Sequence, residues 1–183
     1  MASDPSPAAA GDAPVDVLIP EADLRARVAA MGAEITRDYR DRPLVLIGVL
    51  KGSFIFLADL VRAIELPLTV DFIGISSYQG TRSTGVVQIT SDLSRPIEGK
   101  HVLLVEDIVD TGLTMRYLLD NLATRRPESV RIAALLEKPA RAQVKIPIDY
   151  RGFVIGDDFV VGYGLDWDGK LRNLPFVGIP RVK

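Results

Sequence analysis

The sequence predicts an α/β protein built around a mostly parallel sheet. Short apolar segments alternate along the chain with segments of helical periodicity, the order that strand–helix–strand units produce. Leu44–Leu50 is a continuous apolar run, which is typical of a strand buried on both faces of a parallel sheet. The length of 183 residues and the apolar share of 48% favour one domain with a sizeable core.

The first predicted helix begins after Pro20. Apolar side chains recur there at a spacing of three to four residues, which places them on one face of a helix. These side chains belong to Leu24, Val28, Met31, Ile35 and Tyr39. Two further helices are predicted at residues 54–64 and 113–122, and the second of them has three core candidates, Leu118, Leu119 and Leu122.

The strands are predicted from apolar runs and from partial alternation of apolar and polar residues. They cover residues 44–50, 68–76, 86–90, 102–105, 130–136 and 150–155. Residues 78–85 are polar and contain glycine, so we expect a long flexible loop between the second and third strands.

The chain is predicted to hold a disordered tail at residues 1–14 and a single domain at residues 15–183. The tail has no Val, Ile, Leu or aromatic residue, and so has little apolar surface to bury. The first basic residue is Arg25, and no apolar run approaches the roughly 18 residues that span a bilayer. We therefore expect a cytoplasmic protein with no membrane partner.

The composition restricts the chemistry. There is no Cys, which excludes disulfides and thiolate nucleophiles, and His101 is the single histidine, which excludes a two-histidine metal site. Lys and Arg number 22 against 24 Asp and Glu, and this balance argues against general binding of nucleic acid. Carboxylates, Lys, Arg, hydroxyls and backbone groups remain for function.

The most informative segment joins the strand at residues 102–105 to the helix at residues 113–122. Two carboxylates, Glu106 and Asp107, follow the strand, and Asp110 comes just before the sequence Thr-Gly-Leu-Thr that opens the helix. A helix start with free N–H groups, a glycine and two hydroxyls can hold a phosphate. Carboxylates beside it suit sugar hydroxyls or a divalent metal. The segment therefore predicts a site for a ribose phosphate.

Other interpretations of these motifs are weaker. The sequence contains no Walker A loop, and the Gly162-Tyr163-Gly164 segment has Trp167 where a dinucleotide fingerprint needs its third glycine. Asp166 to Gly169 has only part of the ligand spacing of a calcium loop. A solvated acidic loop is the structural alternative for residues 106–110.

The strand–EDxxDTGxT–helix segment resembles the phosphoribosyl-pyrophosphate motif of type I phosphoribosyltransferases. The chain from about Leu24 to Ile179 resembles the hypoxanthine–guanine enzymes of that family in particular. Four stretches carry the likeness: residues 49–53, residues 77–78, the central segment, and residues 136–175 with LLEKP, FVVGYGLD and RNLP. The resemblance implies a twisted, mostly parallel sheet flanked by helices, with a small hood subdomain.

The resemblance also implies a reaction. A 6-oxopurine is joined through N9 to C1 of 5-phosphoribosyl 1-pyrophosphate, pyrophosphate leaves, and Mg²⁺ is required. It implies homo-oligomers, dimers or tetramers, and small-molecule substrates rather than nucleic acid. Two alternatives stay open: a nucleotide-binding RNA regulator on the same fold, and an enzyme for another base such as xanthine or a pyrimidine.

Residue roles follow from the same resemblance. Asp110 matches the proposed general base, whose alternative role is electrostatic stabilisation of the ribosyl cation. The other matched positions are Glu106, Asp107, Asp110, Thr111, Gly112, Leu113 and Thr114 for the phosphoribosyl group; Leu50, Lys51, Gly52 and Arg172 for pyrophosphate; Lys138, Phe159 and Val160 for the purine; Asp166 with Glu106 and Asp107 for metal; and Ser77 and Tyr78 for a lid that closes over the site. Family members often have a cis peptide between the residues matching Leu50 and Lys51.

Several positions depart from the family pattern. Glu137 replaces an Asp, Trp167 and Leu171 replace Tyr, and Gly156 replaces a Pro. All of them flank the predicted purine and metal sites, so they bear on the purine preference rather than on the reaction class.

Overall fold

A computed structural model describes residues 14–77 and 87–181. The strands are β1 (Val15–Ile19), β2 (Leu44–Leu50), β3 (Leu68–Ser77), β4 (Val87–Ser91), β5 (His101–Val109), β6 (Ser129–Glu137), β7 (Tyr150–Val154) and β8 (Val177–Pro180). The helices are α1 (Glu21–Asp38), α2 (Phe54–Ala63), α3 (Leu113–Ala123) and a one-turn 3-10 helix (Pro139–Arg141). The predicted α/β class is confirmed.

Six strands form the central sheet in the order β4-β3-β2-β5-β6-β7. All neighbours pair in parallel except β4, which lies antiparallel at the edge beside β3. A second, two-stranded sheet pairs β1 with β8 and so brings both ends of the domain together. The Asp16 carboxylate and the Arg181 guanidinium join the same two ends through two hydrogen bonds of 2.5 and 2.7 Å.

The central sheet has a core on each face. Successive side chains of a strand point to opposite faces, so β2 supplies Leu44 and Leu46 to one core and Val45 and Ile47 to the other. Helices α1 and α2 cover the first face, and α3 covers the second. The apolar run that predicted a strand buried on both faces is explained by these two layers.

The order of the strands fixes where a ligand can enter. The chain leaves β2 towards β3 and leaves β5 towards β6, in opposite directions across the sheet. Strands β2 and β5 pair only as far as Gly48 and Val105, and both continue beyond that point. Ligands of open α/β sheets bind in the crevice at such a switch point, beyond the carboxyl ends of the strands.

One predicted boundary is wrong in a way that affects the site. The strand predicted at residues 102–105 extends to Val109, because β6 pairs with it as far as Val109 and Glu137. Glu106 and Asp107 therefore belong to the strand rather than following it. Strands β1 and β8 were not predicted, and they are short segments of five and four residues near the chain ends.

Three expectations lie wholly or largely outside the described residues. They concern the tail at residues 1–14, of which Pro14 alone is described, the flexible loop at residues 78–85, and the lid residue Tyr78. Over the described ranges, no helix has the length and apolar character needed to cross a membrane.

Gly32 tests the packing of α1 on α2. A Cβ at this position would overlap the backbone carbonyl of Ala63 at the end of α2. Helix propensity alone would make Gly32→Ala stabilising by about 1 kcal/mol. We expect instead a loss of about 1–3 kcal/mol in the free energy of unfolding, because the two helices must separate.

Urea unfolding of Gly32→Ala measures this effect. Ala33→Gly in the same helix is the control, since Ala33 is exposed and should lose only the propensity difference of about 1 kcal/mol. A Gly32→Ala variant as stable as the parent would show that the helices do not meet as closely as described.

Candidate active site

The turn between β5 and α3 lies at a small cavity beside the start of a helix. Gly112 caps α3 with a left-handed φ of 81°, and a Cβ there would also overlap the Val144 carbonyl, so both conformation and space favour glycine. The N–H groups of a first helical turn have no partner within the helix. A cavity of about 130 Å³ lies at this turn; its lining includes Glu106, Asp110, Thr111, Gly112 and Thr114.

Glu106 and Asp107 are buried at the end of β5, with 8% and 9% of their surfaces exposed. Burial raises the pKa of Glu106 well above its usual value, and the neighbouring Asp107 charge raises it further. Burial also raises the pKa of Asp107, although hydrogen bonds from Glu106 and from backbone N–H groups oppose that shift. Within the described chain, the Glu106 Oε2 atom is buried without a hydrogen-bond partner. This oxygen is available to a hydroxyl donor or a cation.

The turn after β2 lies directly against Asp107. The peptide bond between Leu50 and Lys51 is cis, as the resemblance implied. A Cβ on Gly52 would overlap the Asp107 carboxylate, and a Cβ on Gly164 would overlap the Gly52 carbonyl. Three distant parts of the sequence therefore meet at Gly52, and only glycine allows them to approach so closely.

Arg172 joins this meeting point from the segment before β8. Its guanidinium donates to the Gly164 carbonyl at 2.6 Å and pairs with the Asp166 carboxylate at 2.5 Å. Its positive charge also lowers the pKa of Asp107, which opposes part of the effect of burial. Asp166 is further engaged by the Gly169 N–H at 2.7 Å. The structure thus brings Gly52, Arg172, Asp107 and Asp166 into one neighbourhood.

The predicted purine residues lie beside the carboxyl end of β6. The Lys138 side chain is 6% exposed, and its ammonium donates to the Asp158 carbonyl at 2.7 Å. The half-buried Phe159 ring meets Trp167 edge to face, with ring centres 6.3 Å apart. Val160 is buried, and the next residue, Val161, exchanges two backbone hydrogen bonds of 2.9 Å with Gly178 of β8.

Backbone hydrogen bonds connect the residues predicted to bind the purine with those predicted to bind the phosphate. The Lys138 N–H donates to the Val109 carbonyl at 2.9 Å, immediately before Asp110. Gln143 and Val144 donate in turn to the Thr111 carbonyl at 3.0 and 3.1 Å. The segment at residues 138–144 is here termed the brace, and the turn between β5 and α3, where the sequence predicts a phosphate, is termed the phosphate turn. The brace therefore runs alongside the phosphate turn.

Two residues near the site were not predicted to act there. Arg141 of the brace has its Nε atom 3.0 Å from Asp110 Oδ1, and Trp167 packs on Phe159. Arg141 follows Pro139 in a 3-10 turn, and no spacing or motif separates it from the other arginines of the sequence. In the sequence, Trp167 stands out as a departure from the family pattern and as the residue that breaks a dinucleotide fingerprint, and neither property predicts its contact with Phe159.

Not every predicted ligand is brought together. Within the described residues, no group of three or more acidic or histidine side chains could hold a metal ion. His101 begins β5, at the opposite end of the strand from the site. Of the predicted lid, Ser77 is the last residue of β3, where it pairs with Val87 of β4, and Tyr78 is outside the described part.

Known proteins share this architecture. The family described as "Phosphoribosyl transferase domain" matches residues 21–168. The hypoxanthine phosphoribosyltransferase of Haemophilus influenzae is 49% identical over 168 residues, which cover 90% of this chain and 94% of that protein.

Two solved structures are similar throughout. A crystal structure of a hypoxanthine phosphoribosyltransferase from Staphylococcus aureus has a TM-score of 0.87 at 45% identity and covers 91% of both chains. The Trypanosoma cruzi hypoxanthine phosphoribosyltransferase, in complex with the product IMP, has a TM-score of 0.85 at 42% identity. That comparison covers 92% of this chain and 95% of the other.

Gly52→Ala tests the close approach of the β2 turn to Asp107. We expect a loss of about 1–3 kcal/mol in the free energy of unfolding, with displacement of the Asp107 carboxylate, because the added methyl group needs its space. Urea unfolding and a crystal structure of the variant measure the two effects.

Gly156→Ala is the matched control for Gly52→Ala. A Cβ on Gly156 would lie 3.5 Å from an Asp158 carboxylate oxygen, an ordinary contact. Its stability should stay within about 0.5 kcal/mol of the parent. Equal stability of both variants, with Asp107 unmoved, would contradict the described packing at Gly52.

Proposed function

The chain is a member of the phosphoribosyl transferase domain family, and from that membership we propose its reaction. The protein joins hypoxanthine or guanine to 5-phosphoribosyl 1-pyrophosphate, giving IMP or GMP and pyrophosphate. The observation that carries the proposal is the hydrogen bond between the Lys138 N–H and the Val109 carbonyl. That bond joins the backbone of Lys138, whose side chain is buried, to the strand end that leads into the turn before α3. The names of the relatives from H. influenzae, S. aureus and T. cruzi support the same activity.

We assign the phosphoribosyl group to the turn between β5 and α3. Thr111, Gly112, Leu113 and Thr114 provide N–H and hydroxyl donors for the 5-phosphate at the start of a helix, where an anion is favoured. Glu106 lines the cavity at this turn, and Asp107 lies beside Gly52. We assign both carboxylates to the ribose hydroxyls. Leu50, Lys51, Gly52 and Arg172 receive the pyrophosphate on the other side of Asp107.

The bond changes define what Asp110 must do. N9 of the purine attacks C1 of the ribose while the bond from C1 to the pyrophosphate oxygen breaks, and the pyrophosphate keeps that electron pair. Positive charge builds on the ribose ring, and the purine loses one proton. The Asp110 carboxylate can stabilise that positive charge and accept the proton, in agreement with both roles implied by the family.

The purine is selected by complementary hydrogen bonds. An ammonium group has three donors and no acceptor, and the Asp158 carbonyl accepts from Lys138. A 6-oxo group supplies a further acceptor, whereas the 6-amino group of adenine presents donors. We assign the Val160 carbonyl to the 2-position, where it accepts from the 2-amino group of guanine. The Phe159 ring stacks on any purine and does not discriminate among them.

The residues at the site suit Mg²⁺. The donors are carboxylate oxygens, and the partnerless Glu106 Oε2 is buried among them. Mg²⁺ is commonly held by one or two carboxylates together with substrate phosphates, so a site with fewer than three clustered acids fits it. Two of the predicted ligands, Asp166, Glu106 and Asp107, would be enough to hold the ion together with substrate phosphates. When bound, the ion would neutralise charge on the pyrophosphate.

We propose that the protein acts in the cytoplasm as a homo-oligomer, a dimer or a tetramer. Three large apolar side chains on α2 and β3 support self-association, because each is about 40% exposed: Phe54, Val70 and Phe72. Light scattering at the concentration of an enzyme assay tests this, and a monomer would contradict it.

A panel of four purines tests the assignment of Lys138. With 5-phosphoribosyl 1-pyrophosphate and Mg²⁺, hypoxanthine and guanine should be used, xanthine poorly and adenine not at all. One N–H of the buried ammonium would meet the 6-amino group of adenine and lose its acceptor, which costs about 1–3 kcal/mol, so adenine should lose about ten- to a hundredfold in kcat/KM. Lys138→Ala should lower kcat/KM for both oxopurines and reduce their advantage over adenine.

Lys145→Ala is the control for Lys138→Ala, because Lys145 is exposed in the same part of the chain. It should leave the order of the purines unchanged. If adenine matched guanine in the parent protein, Lys138 would be misassigned. If no base gave a nucleotide, the proposed reaction itself would be wrong, and preferential use of xanthine would favour that alternative base.

Removal of metal tests the second assignment. EDTA should abolish activity and added Mg²⁺ should restore it. Asp166→Asn should raise the Mg²⁺ concentration needed for half-maximal activity by about tenfold, a typical loss when a carboxylate near a metal is changed. Asp168→Asn, an exposed neighbour, is the control. Full activity in EDTA would remove the metal from the reaction.

A further inference from the structure

We propose that Tyr163 is a positioning residue for the pyrophosphate side of the site. Its hydroxyl anchors the turn at residues 162–164 to helix α2, and that turn holds Arg172. This inference rests on the proposed function, because the proposed function is what assigns Gly52 and Arg172 to the pyrophosphate.

Tyr163 has a backbone conformation that is uncommon for a bulky residue. Its φ is 50°, in the left-handed region, and it lies between Gly162 and Gly164, whose φ values are 92° and 105°. A large side chain is rarely found in this conformation, which persists only where the surrounding structure fixes it. Residues held in this way cluster at active sites and at ligand-binding sites. We therefore expect the Tyr163 side chain to have a task that glycine could not perform.

The Tyr163 side chain is fixed at both its ring and its hydroxyl. The residue is 6% exposed and belongs to the core on the face that α1 and α2 cover. Its hydroxyl donates a hydrogen bond of 2.6 Å to Oδ2 of Asp59, in the middle of α2. Burial, and then this hydrogen bond, raise the pKa of the Tyr163 hydroxyl, so the group stays protonated and remains a donor. The turn at residues 162–164 is thus attached to α2 by a side chain.

The same turn holds Arg172 by both its main chain and its side chain. The Gly164 N–H donates to the Arg172 carbonyl at 3.0 Å, and the Arg172 guanidinium donates to the Gly164 carbonyl at 2.6 Å. The Tyr163 N–H donates to the Leu174 carbonyl at 2.9 Å and so supports the same segment. A movement of Gly164 is therefore passed on to the Arg172 guanidinium.

Both sides of the predicted pyrophosphate site are joined to α2. Gly52 lies two residues before the start of α2, and a Cβ on Gly164 would overlap the Gly52 carbonyl. The hydrogen bond from Tyr163 to Asp59 is a second contact between the same two segments. Two separate contacts fix the relative orientation of two segments better than one. The Tyr163 hydroxyl thereby helps to set the spacing between Gly52 and Arg172, which the pyrophosphate must bridge.

The second partner of Asp59 supplies a control. The Arg62 guanidinium donates to the other carboxylate oxygen of Asp59, Oδ1. The Arg62 side chain is 74% exposed, and exposed ion pairs contribute little, because water and salt screen them. Arg62→Gln leaves Oδ2 with Tyr163, so the kinetics of this variant should match those of the parent.

Steady-state kinetics and pyrophosphate inhibition of Tyr163→Phe test this inference. The variant keeps the ring and loses only the hydroxyl. We expect KM for 5-phosphoribosyl 1-pyrophosphate and the inhibition constant of pyrophosphate to rise together by about three- to tenfold, as loss of one hydrogen bond implies. KM for hypoxanthine should stay within about twofold of the parent. Tyr117→Phe, at an exposed position of α3, should behave as the parent does.

Variants of Asp59 separate the hydrogen bond from a general effect on stability. Asp59→Asn keeps an oxygen that can accept from Tyr163 and should retain the KM of the parent for 5-phosphoribosyl 1-pyrophosphate. Asp59→Ala should raise this KM as Tyr163→Phe does, and the double variant should show no further rise. The Asp59 side chain is 39% exposed, so Asp59→Ala should fold even if Tyr163→Phe did not.

The outcomes distinguish positioning from a structural role. An unchanged KM for 5-phosphoribosyl 1-pyrophosphate in Tyr163→Phe and Asp59→Ala would overturn the inference, even if both variants were less stable in urea. An equal rise in KM for hypoxanthine would also overturn it, since that would indicate a loosening of the whole site. A parent protein that neither binds pyrophosphate with Mg²⁺ nor forms a nucleotide would instead refute the proposed function, so the two failures are distinguishable.

Discussion

The parallel register of β5 between β2 and β6 determines the position of the two buried carboxyl groups of the site, Glu106 and Asp107. On one side β5 leaves β2 after Val105, which opens the crevice, and on the other it stays paired with β6 as far as Val109. Glu106 and Asp107 are therefore held in an ordered strand, with Glu106 lining the cavity at the turn before α3 and Asp107 packed against Gly52. One further backbone hydrogen bond, from the Lys138 N–H to the Val109 carbonyl, extends this pairing beyond the end of β6. A slip of register by one residue would send each of these side chains to the opposite face of the sheet.

This arrangement holds two carboxyl groups in a buried position, where their ionisation costs free energy. Burial of adjacent acids opposes ionisation, and the raised pKa of Glu106 is the result. Hydrogen bonds from backbone N–H groups and the positive charge of Arg172 oppose part of the effect of burial on the pKa of Asp107. Two glycines make this close approach possible. Gly52 and Gly164 allow the turn after β2 and the Arg172 segment to approach Asp107 without an intervening side chain. The site thus depends as much on the absence of side chains as on their chemistry.

The sequence predicted the central sheet because its strands are apolar runs or partly alternating segments, and because β2 and β5 are each followed by a segment of helical character. The phosphate turn was predicted because its chemistry is local, with the strand, carboxylates, glycine and hydroxyls contiguous in sequence. The full length of β5 was not predicted, since Glu106 and Asp107 are polar and their pairing with β6 is a tertiary property. Arg141 could not be singled out for the same reason: its partner lies 31 positions earlier, at Asp110. Strands β1 and β8 escaped prediction because their partners are at opposite ends of the chain.

The two halves of the site are supported by different parts of the fold. The phosphate turn rests on the core beneath α3, whereas Phe159 packs in a small cluster with Val161, Trp167 and Val15 of β1. The base side therefore depends on the two-stranded sheet that joins the chain ends, and the phosphate side does not. The contacts that connect them include the Lys138 bond to Val109, the bonds from Gln143 and Val144 to Thr111, and the approach of Gly164 to Gly52. Because these contacts are made by backbone, substitutions around the base can alter purine preference while the phosphate turn keeps its shape. The departures from the family pattern at Trp167 and Leu171 follow this division, since both belong to the cluster around Phe159.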